Sequence, residues 1–547
     1  MIVGLNPCIG GLNYHDPSVV FLEGGEVVFA AEEERFARAK VKGEAPRRAF
    51  AYGMEQLGLH ASEIEHFAVG YDPARRGSNE IVHTLALALQ VNKALEIENV
   101  PVRFVPHHRS HARSAFVNSG YDRALVVVND GVGECESSTL WRADHRELTL
   151  LESQDCTASV GYFYAAITAL LGFQPWRDEG LVMALAPFGS PIEALWSALD
   201  RLFLQYGRIT IKNFDRYLQS GLYLDTSGAC DDLRRALGSL MPACDDEESR
   251  ASLALWAQTR LEDQVLGDVC QAVRKYSAEA ICFSGGVHLN CKLNGAVSVA
   301  LSVPAFFEPV AGDAGTAMGA AFETTSVPAR PLSHLFLGYC LDDSAIAAEL
   351  SVRVPSILAT TLPATRTITE LLIAGEIVIW ARGAAEFGPR ALCHRSLLAL
   401  ADSQQLRLLL NQVVKDRLLW RPFGPVLRRQ MAERLLEDDR LHRDGRFMIE
   451  SFHATAEGRL ALSSALHPVD GSLRAQLIDE ENDPFLNAIL TRLETEHGKL
   501  GLINTSLNGR DEPICNSETD VISFFLRTKA VRVLVTDSTL YTKASVR

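Results

Sequence analysis

The chain has 547 residues, 47% of them hydrophobic, and a formal net charge of -15. That length exceeds what one core usually organises, so two or more globular domains are expected. The acidic balance excludes a broad nucleic-acid or anionic-membrane surface, which needs dominant Lys and Arg, and makes any local basic cluster a candidate site for small anions.

Strand-like runs open the chain at Ile2 to Leu5, Ser18 to Leu22 and Glu26 to Ala31; after a helix-like stretch comes another at His66 to Val69. A second series follows at Ala124 to Asn129, Ser138 to Trp141 and Leu148 to Glu152, with a helix-like stretch over Tyr162 to Leu171. Two βββα openings predict a duplicated ribonuclease-H-like α/β fold. A long helix pattern from Leu253 to Tyr276 leads through the strand Ala280 to Ser284 into Gly285-Gly286. The stretch Thr324 to Pro331 reads as a linker. Beyond it an amphipathic helix and strand run from Thr367 to Trp380, with further strands at Ile377 to Ala381 and Leu500 to Ile503. Domains are therefore expected over residues 1–345 and 346–547.

The eleven cysteines never form C-x-x-C, and runs such as Ala280-Ile281-Cys282-Phe283 place them in apolar strands. They read as reduced core thiols of a cytoplasmic protein. The opening Met1 to Asn6 lacks the basic region and apolar core of a signal peptide. No apolar run reaches the ~20 residues that span a bilayer.

Four constellations carry chemistry. His107 and His111 stand four apart just after Pro106, so a helix there puts both imidazoles on one face, where they can clasp a metal. Asp130 and Asp313, at strand-to-turn junctions, are candidate partners. The competing reading is a pair of surface histidines and two turn aspartates. Next, the turns holding Gly285, Gly286 and Asn290, and Gly312 and Gly315, suit phosphates facing backbone N–H groups at helix starts, as in sugar kinases and actin. His15 beside Asp16 can be a general base and is equally a turn histidine. Finally, Arg382 to Ser396 places Arg382, Glu386, Arg390 and Arg395 around Gly388-Pro389. Lys415, Arg421, Arg474, Asn504 and Ser506 join this group as an anion cradle, since an Arg fork binds phosphate or carboxylate bidentately.

These segments carry E-E-E-R-F-A-R from Glu32, D-G-V-G-E from Asp130, G-Y-F-Y from Gly161, D-E-G from Asp178 and A-P-F-G from Ala186. They continue with G-G-V-H-L-N from Gly285, G-D-A-G-T-A-M-G-A-A from Gly312, E-F-G-P-R-A-L from Glu386, W-R-P-F-G-P from Trp420 and N-T-S-L-N from Asn504. Over nearly its whole length the chain closely resembles the O-carbamoyltransferases of antibiotic and nodulation-factor biosynthesis, such as the tobramycin, cephamycin, novobiocin and bleomycin enzymes.

The resemblance implies an actin-like N-terminal domain and a smaller α/β carbamate-adenylating C-terminal domain of the YrdC-like type. It implies that the second domain makes carbamoyl adenylate from carbamoyl phosphate and Mg-ATP, at Arg382, Glu386, Arg390, Arg395, Lys415, Arg421, Arg474, Asn504 and Ser506. The first would bind the adenylate at Gly285, Gly286, Asn290, Gly312 and Gly315 and at a metal held by His107, His111, Asp130 and Asp313. His15, oriented by Asp16, would activate a hydroxyl of a small natural product. Iron(II) is the favoured metal, with manganese or zinc as alternatives. The expected partners are ATP, carbamoyl phosphate and the acceptor, with no nucleic acid and no membrane; a homodimer is one assembly this admits. Val41, Leu181 and Ala184 depart from the family pattern, which points to a different acceptor. The contrasting reading is an actin-like regulatory or assembly ATPase without carbamoyl transfer.

Overall fold

The computed structural model describes residues 1–9, 15–40, 44–76, 80–145, 147–211, 218–219, 223–224, 246–437 and 445–543. Val41 lies outside them. The architecture is mixed α/β, and the chain divides into two compact units. One comprises Met1–Val27, Gly43–Arg47 and Gly58–Pro331; the other comprises Val28–Lys42, Arg48–Leu57 and Leu332–Arg547.

Two five-stranded sheets organise the first unit. Strands β1 (Ile2–Asn6), β2 (Ser18–Glu23), β3 (Glu26–Glu32), β4 (His66–Val69) and β5 (Val102–Phe104) lie in the order β3-β2-β1-β4-β5. Only the first residues of β3 belong to this unit. Strands β6 (Arg123–Asn129), β7 (Glu136–Asp144), β8 (Leu148–Asp155), β9 (Ile281–Ser284) and β10 (Ala305–Phe307) lie in the order β10-β9-β6-β7-β8. In each sheet the first strand pairs antiparallel with the second and parallel with the fourth, which is parallel to the fifth. The two sheets therefore repeat one strand order.

Two helices turn this repeat into a site. The helix His107–Ser119 packs Ala112, Ala115 and Phe116 with Val126, Val128 and Cys282 of the second sheet. The helix Ala314–Thr324 lies on the first sheet so closely that a Cβ on Gly4 would fall 1.9 Å from the Ala317 carbonyl oxygen. The helices also touch each other, since a Cβ on Gly319 would fall 1.8 Å from the Ser110 carbonyl oxygen. Small residues at both contacts let backbone approach backbone.

The second unit is built on eight strands: β11 (Leu358–Thr361), β12 (Val378–Ala381), β13 (Arg395–Leu400), β14 (Gly424–Arg428), β15 (Gln476–Ile478), β16 (Leu502–Ser506), β17 (Val533–Val535) and β18 (Thr539–Thr542). Their order is β11-β18-β17-β12-β13-β16-β14-β15. The central strands are apolar on both faces, Val378-Ile379-Trp380-Ala381 being wholly buried, as strands covered on both sides require. No disulfide joins the nine described cysteines. Among the described residues no helix is long and apolar enough to cross a membrane.

Candidate functional site

In the first unit the helix contact brings His107 and His111 beside Asp313, which stands just before its own helix. Asp130 arrives from the end of β6. His107 Nε2 lies 3.1 Å from Asp130 Oδ2 and 3.5 Å from Asp313 Oδ1; His111 Nε2 lies 3.8 and 3.7 Å from the same two atoms. One donor atom from each of the four residues falls within 4.8 Å of the other three, and all four residues are buried. The His107 Nδ1–H donates to the Gly70 carbonyl at 3.2 Å, while His111 Nδ1 meets Ser284 Oγ at 3.2 Å. Each ring is thereby held with Nε2 inward, the outer-shell arrangement that metal-binding histidines use. Two imidazole nitrogens and two carboxylate oxygens fit iron(II), manganese or zinc.

His15 and Asp16 border this cluster. His15 Nδ1 lies 3.1 Å from Asp16 Oδ2, and His15 Nε2 lies 3.9 Å from Asp313 Oδ2. Burial depresses the His15 pKa, but Asp313 and Asp16 outweigh it and raise it to about 10. Burial alone would raise Asp313; His15 and His107 instead hold it well below the carboxylate range. The Trp176 ring stacks on the His15 imidazole at 6.3 Å, and Trp176 has a left-handed backbone at φ 64. A bulky residue in that region is strained, and such strain collects at functional sites.

The glycine turns divide. Gly286 N–H donates to Asp130 Oδ1 at 2.9 Å, and Gly285 (φ 93) has no room for a Cβ, which would fall 2.1 Å from the Asn129 carbonyl oxygen. A Cβ on Gly312 would be 4.0 Å from Asp16 Oδ2, so this turn too borders the cluster. Gly315 instead abuts the Val310 carbonyl. Asn290 caps the helix Cys291–Ala300 through Leu293 N–H and exchanges hydrogen bonds with Gln258. Of the departures, Leu181 is half-buried and Ala184 buried on the helix Glu179–Leu185.

Glu134 was not singled out by sequence. Its carboxylate accepts the His107 N–H at 2.9 Å and the Asp72 N–H at 2.7 Å, serving as the acidic cap that Pro106 cannot be. The D-G-V-G-E turn carried the only signal for it.

In the second unit the Arg382 to Ser396 segment sorts its charges. Arg395 is fully buried and donates to the carbonyls of Asn516, Arg382, His394, Tyr339 and Gly383 at 2.8 to 3.3 Å. Its donors thus brace the loop. Glu386 Oε1 accepts the N–H groups of Leu392, His394 and Arg395, so it too braces the loop. Arg382 pairs with Asp537 at 3.4 Å and lies 4.5 Å over Phe485. Arg35 Nη2 donates to the Gly388 carbonyl at 2.7 Å.

A second group is cationic. Buried Lys415 donates to Ser506 Oγ at 3.2 Å, to Asn508 Oδ1 at 2.6 Å and to the Asn508 carbonyl at 3.0 Å. Asn504 Nδ2 ties the Ala391 carbonyl to Gln476 Oε1 at 2.9 and 2.7 Å. Burial, then Arg417 and Arg421, hold Lys415 well below the usual lysine range. Burial, then Arg421 and Arg474, likewise lower Arg417, which sequence reasoning missed. Among the described residues neither Lys415 nor Arg417 has a carboxylate at ion-pair distance.

Two family models match this chain: one described as Carbamoyltransferase N-terminus over residues 76–322, the other as Carbamoyltransferase C-terminus over residues 369–543. The nodulation protein NolNO of Sinorhizobium fredii is 28% identical across 94% of this chain and 77% of its own length. The 3'-hydroxymethylcephem-O-carbamoyltransferase of Amycolatopsis lactamdurans is 26% identical across 67% of this chain and 65% of its own. Among solved structures, component A of (R)-2-hydroxyglutaryl-CoA dehydratase from Acidaminococcus fermentans covers 59% of this chain and 96% of its own, at 14% identity and a TM-score of 0.34, too slight a likeness to carry an argument.

Proposed function

This chain belongs to the carbamoyltransferase family and is a transferase enzyme, and on that premise we propose an ATP-dependent O-carbamoyltransferase acting on a hydroxyl of a small natural product. The observation that carries this reading is the pair of buried cations Lys415 and Arg417, whose proton affinity is lowered first by burial and then by neighbouring guanidiniums, Arg417 and Arg421 acting on Lys415 and Arg421 and Arg474 acting on Arg417. Burying cations so close together is costly, and a bound anion would offset that cost. Carbamoyl phosphate and ATP are both such anions. With water, carbamoyl phosphate gives carbamate and phosphate; a carbamate oxygen then attacks the α-phosphate of ATP, forming carbamoyl adenylate and releasing pyrophosphate. The cations draw the two anions together and stabilise the departing pyrophosphate. Arg382, Arg390, Asn504 and Ser506 complete this site, with Glu386 and Arg395 supporting its loop. On this reading the second unit is a YrdC-like adenylating fold.

Transfer belongs to the first unit, whose repeated strand order supports the duplicated ribonuclease-H-like reading. Gly312 offers backbone room for the adenylate beside the turn of Gly285 and Gly286, which packs on Asn129 and Asp130, with Gly315 and Asn290 flanking it. His107, His111, Asp130 and Asp313 would hold a divalent cation, which when bound supplies positive charge for oxygens of the adenylate. His15 takes the proton of the acceptor hydroxyl, Asp16 fixes the ring through Nδ1, and the hydroxyl oxygen forms the ester as AMP leaves.

The test is pyrophosphate release from ATP. It should require carbamoyl phosphate, vanish in Arg390→Ala and survive in His15→Ala. Release of ADP without carbamoyl phosphate would instead favour the regulatory ATPase reading and remove the adenylation step.

A further inference from the structure

The loop bearing the cations leaves its helix in an unusual way. The helix Gln404–Leu409 widens into a π-turn over Leu410–Val414, and Lys415 N–H bonds the Leu410 carbonyl at 2.8 Å. A π-turn holds one residue more than an α-turn, so the residues beyond it are rotated by about 100° from their α-helical phase. Lys415 is thereby aimed at Ser506 and Asn508. Inside the turn, Asn411 is fully buried. Its Oδ1 accepts from Arg417 Nε at 2.7 Å, its Nδ2 donates to the Leu419 carbonyl at 3.4 Å, and its own carbonyl accepts the Arg417 N–H at 3.0 Å.

The partners of Arg417 share one property. Besides Asn411, they are the Pro422 carbonyl at 3.4 Å and the Phe423 ring, 4.3 Å beneath the guanidinium. All are neutral. An Arg crowded by Arg421 and Arg474 would be held about twice as strongly by a carboxylate, had anchoring been the only requirement. A carboxylate of the same shape would also cancel the charge.

We infer that Asn411 is a positioning residue that fixes Arg417 through a neutral acceptor, keeping the full guanidinium charge for the anion bound in the second unit. This rests on the anion-site reading above and adds how the site keeps its charge while fixing its geometry.

The experiment compares full-length wild type, Asn411→Asp, Asn411→Ala and Arg417→Met by calorimetric titration with inorganic pyrophosphate, alongside melting temperature. Charge retention predicts that wild type binds tightest and Asn411→Ala less tightly. Asn411→Asp should be weakest, at least tenfold below wild type, although it melts no lower. In the Asn411→Asp background, Arg417→Met should remove little further affinity. A plain structural anchor gives the opposite order, with Asn411→Asp binding as tightly as wild type, and that result overturns the inference. Should Asn411→Asp not fold, Arg417→Met must bind more weakly than Asn411→Ala; equal loss also overturns it. Wild type that binds no pyrophosphate removes the anion-site reading itself, and this inference with it.

Discussion

Gly319→Ala tests whether the helix contact builds the proposed metal site. The new Cβ would stand 1.8 Å from the Ser110 carbonyl oxygen and 2.5 Å from its carbon, both backbone atoms that no rotamer change can move. Restoring contact requires a retreat of about 1.4 Å, and the helix Ala314–Thr324 cannot simply take it, because its other side already meets β1 at Gly4. Overpacking against two fixed neighbours should cost about 3 kcal/mol, the upper end of the usual range. His107 and His111 flank Ser110 on one helix and Asp313 precedes the other, so a shift of about 1 Å exceeds the ~0.2 Å within which ligand distances must lie. Manganese affinity should therefore fall at least tenfold. Urea unfolding with and without manganese, and direct metal titration, read both quantities. Gly267→Ala is the control, since it lies within the helix Glu247–Tyr276 with nothing within 4 Å of the added methyl, and should gain about 0.5–1 kcal/mol. Wild-type stability in Gly319→Ala, or a large stability loss with metal affinity intact, would refute the argument.

Two further outcomes concern the second unit. Because the folded pKa of Lys415 is depressed, the unfolded chain holds more protons between that value and the ordinary lysine value; this term of stability therefore rises with pH across the window and is flat below it. Anion binding favours the charged form, so pyrophosphate binding at a pH between the depressed Lys415 value and the ordinary lysine value should take up protons. Binding enthalpies in Tris and Hepes should then differ in that direction, and a buffer-independent enthalpy, or uptake unchanged in Lys415→Met, would count against a depressed Lys415. Arg38 donates to the Ile514 carbonyl at 2.6 Å and the Pro513 carbonyl at 3.1 Å, and pairs with Asp520 at 3.0 Å. Arg38→Ala should destabilise by about 2 kcal/mol by stranding these acceptors, read by urea unfolding; a loss under about 0.5 kcal/mol would show that water replaces the arginine.

The features legible in the sequence are the local ones. The His107 and His111 pairing needs only helical period, and Asp130 and Asp313 needed only the apolar runs that end before them. Arg395 and Arg390 could not be told apart, because which arginine turns inward depends partly on the carbonyls of Asn516 and Tyr339, which come from distant segments. Arg417 was missed because Asp416-Arg417 resembles a solvated pair. In the fold Asp416 instead reaches Arg510 at 3.3 Å, and the π-turn sends Arg417 the other way. Nor does any contiguous reading reveal that Val28–Lys42 and Arg48–Leu57 group with residues far beyond them, since the bonds of Arg35 and Arg38 join positions hundreds of residues apart.

The two units pose opposite electrostatic problems with the same means. In the first, Asp130 and Asp313 both reach His107 Nε2 within 3.5 Å, so two carboxylates share one buried space. Histidines can relieve that repulsion only by taking protons, as the raised His15 and His107 values express. A divalent cation relieves it without them and leaves the imidazoles neutral, and only a neutral His15 can accept a proton from a hydroxyl. In the second unit the anchors of Lys415 and Arg417 are amides, hydroxyls and carbonyls, which cancel none of the charge of these two side chains. The first unit thus gathers buried carboxylates and the second gathers buried cations, and each arrangement favours a ligand of the opposite sign.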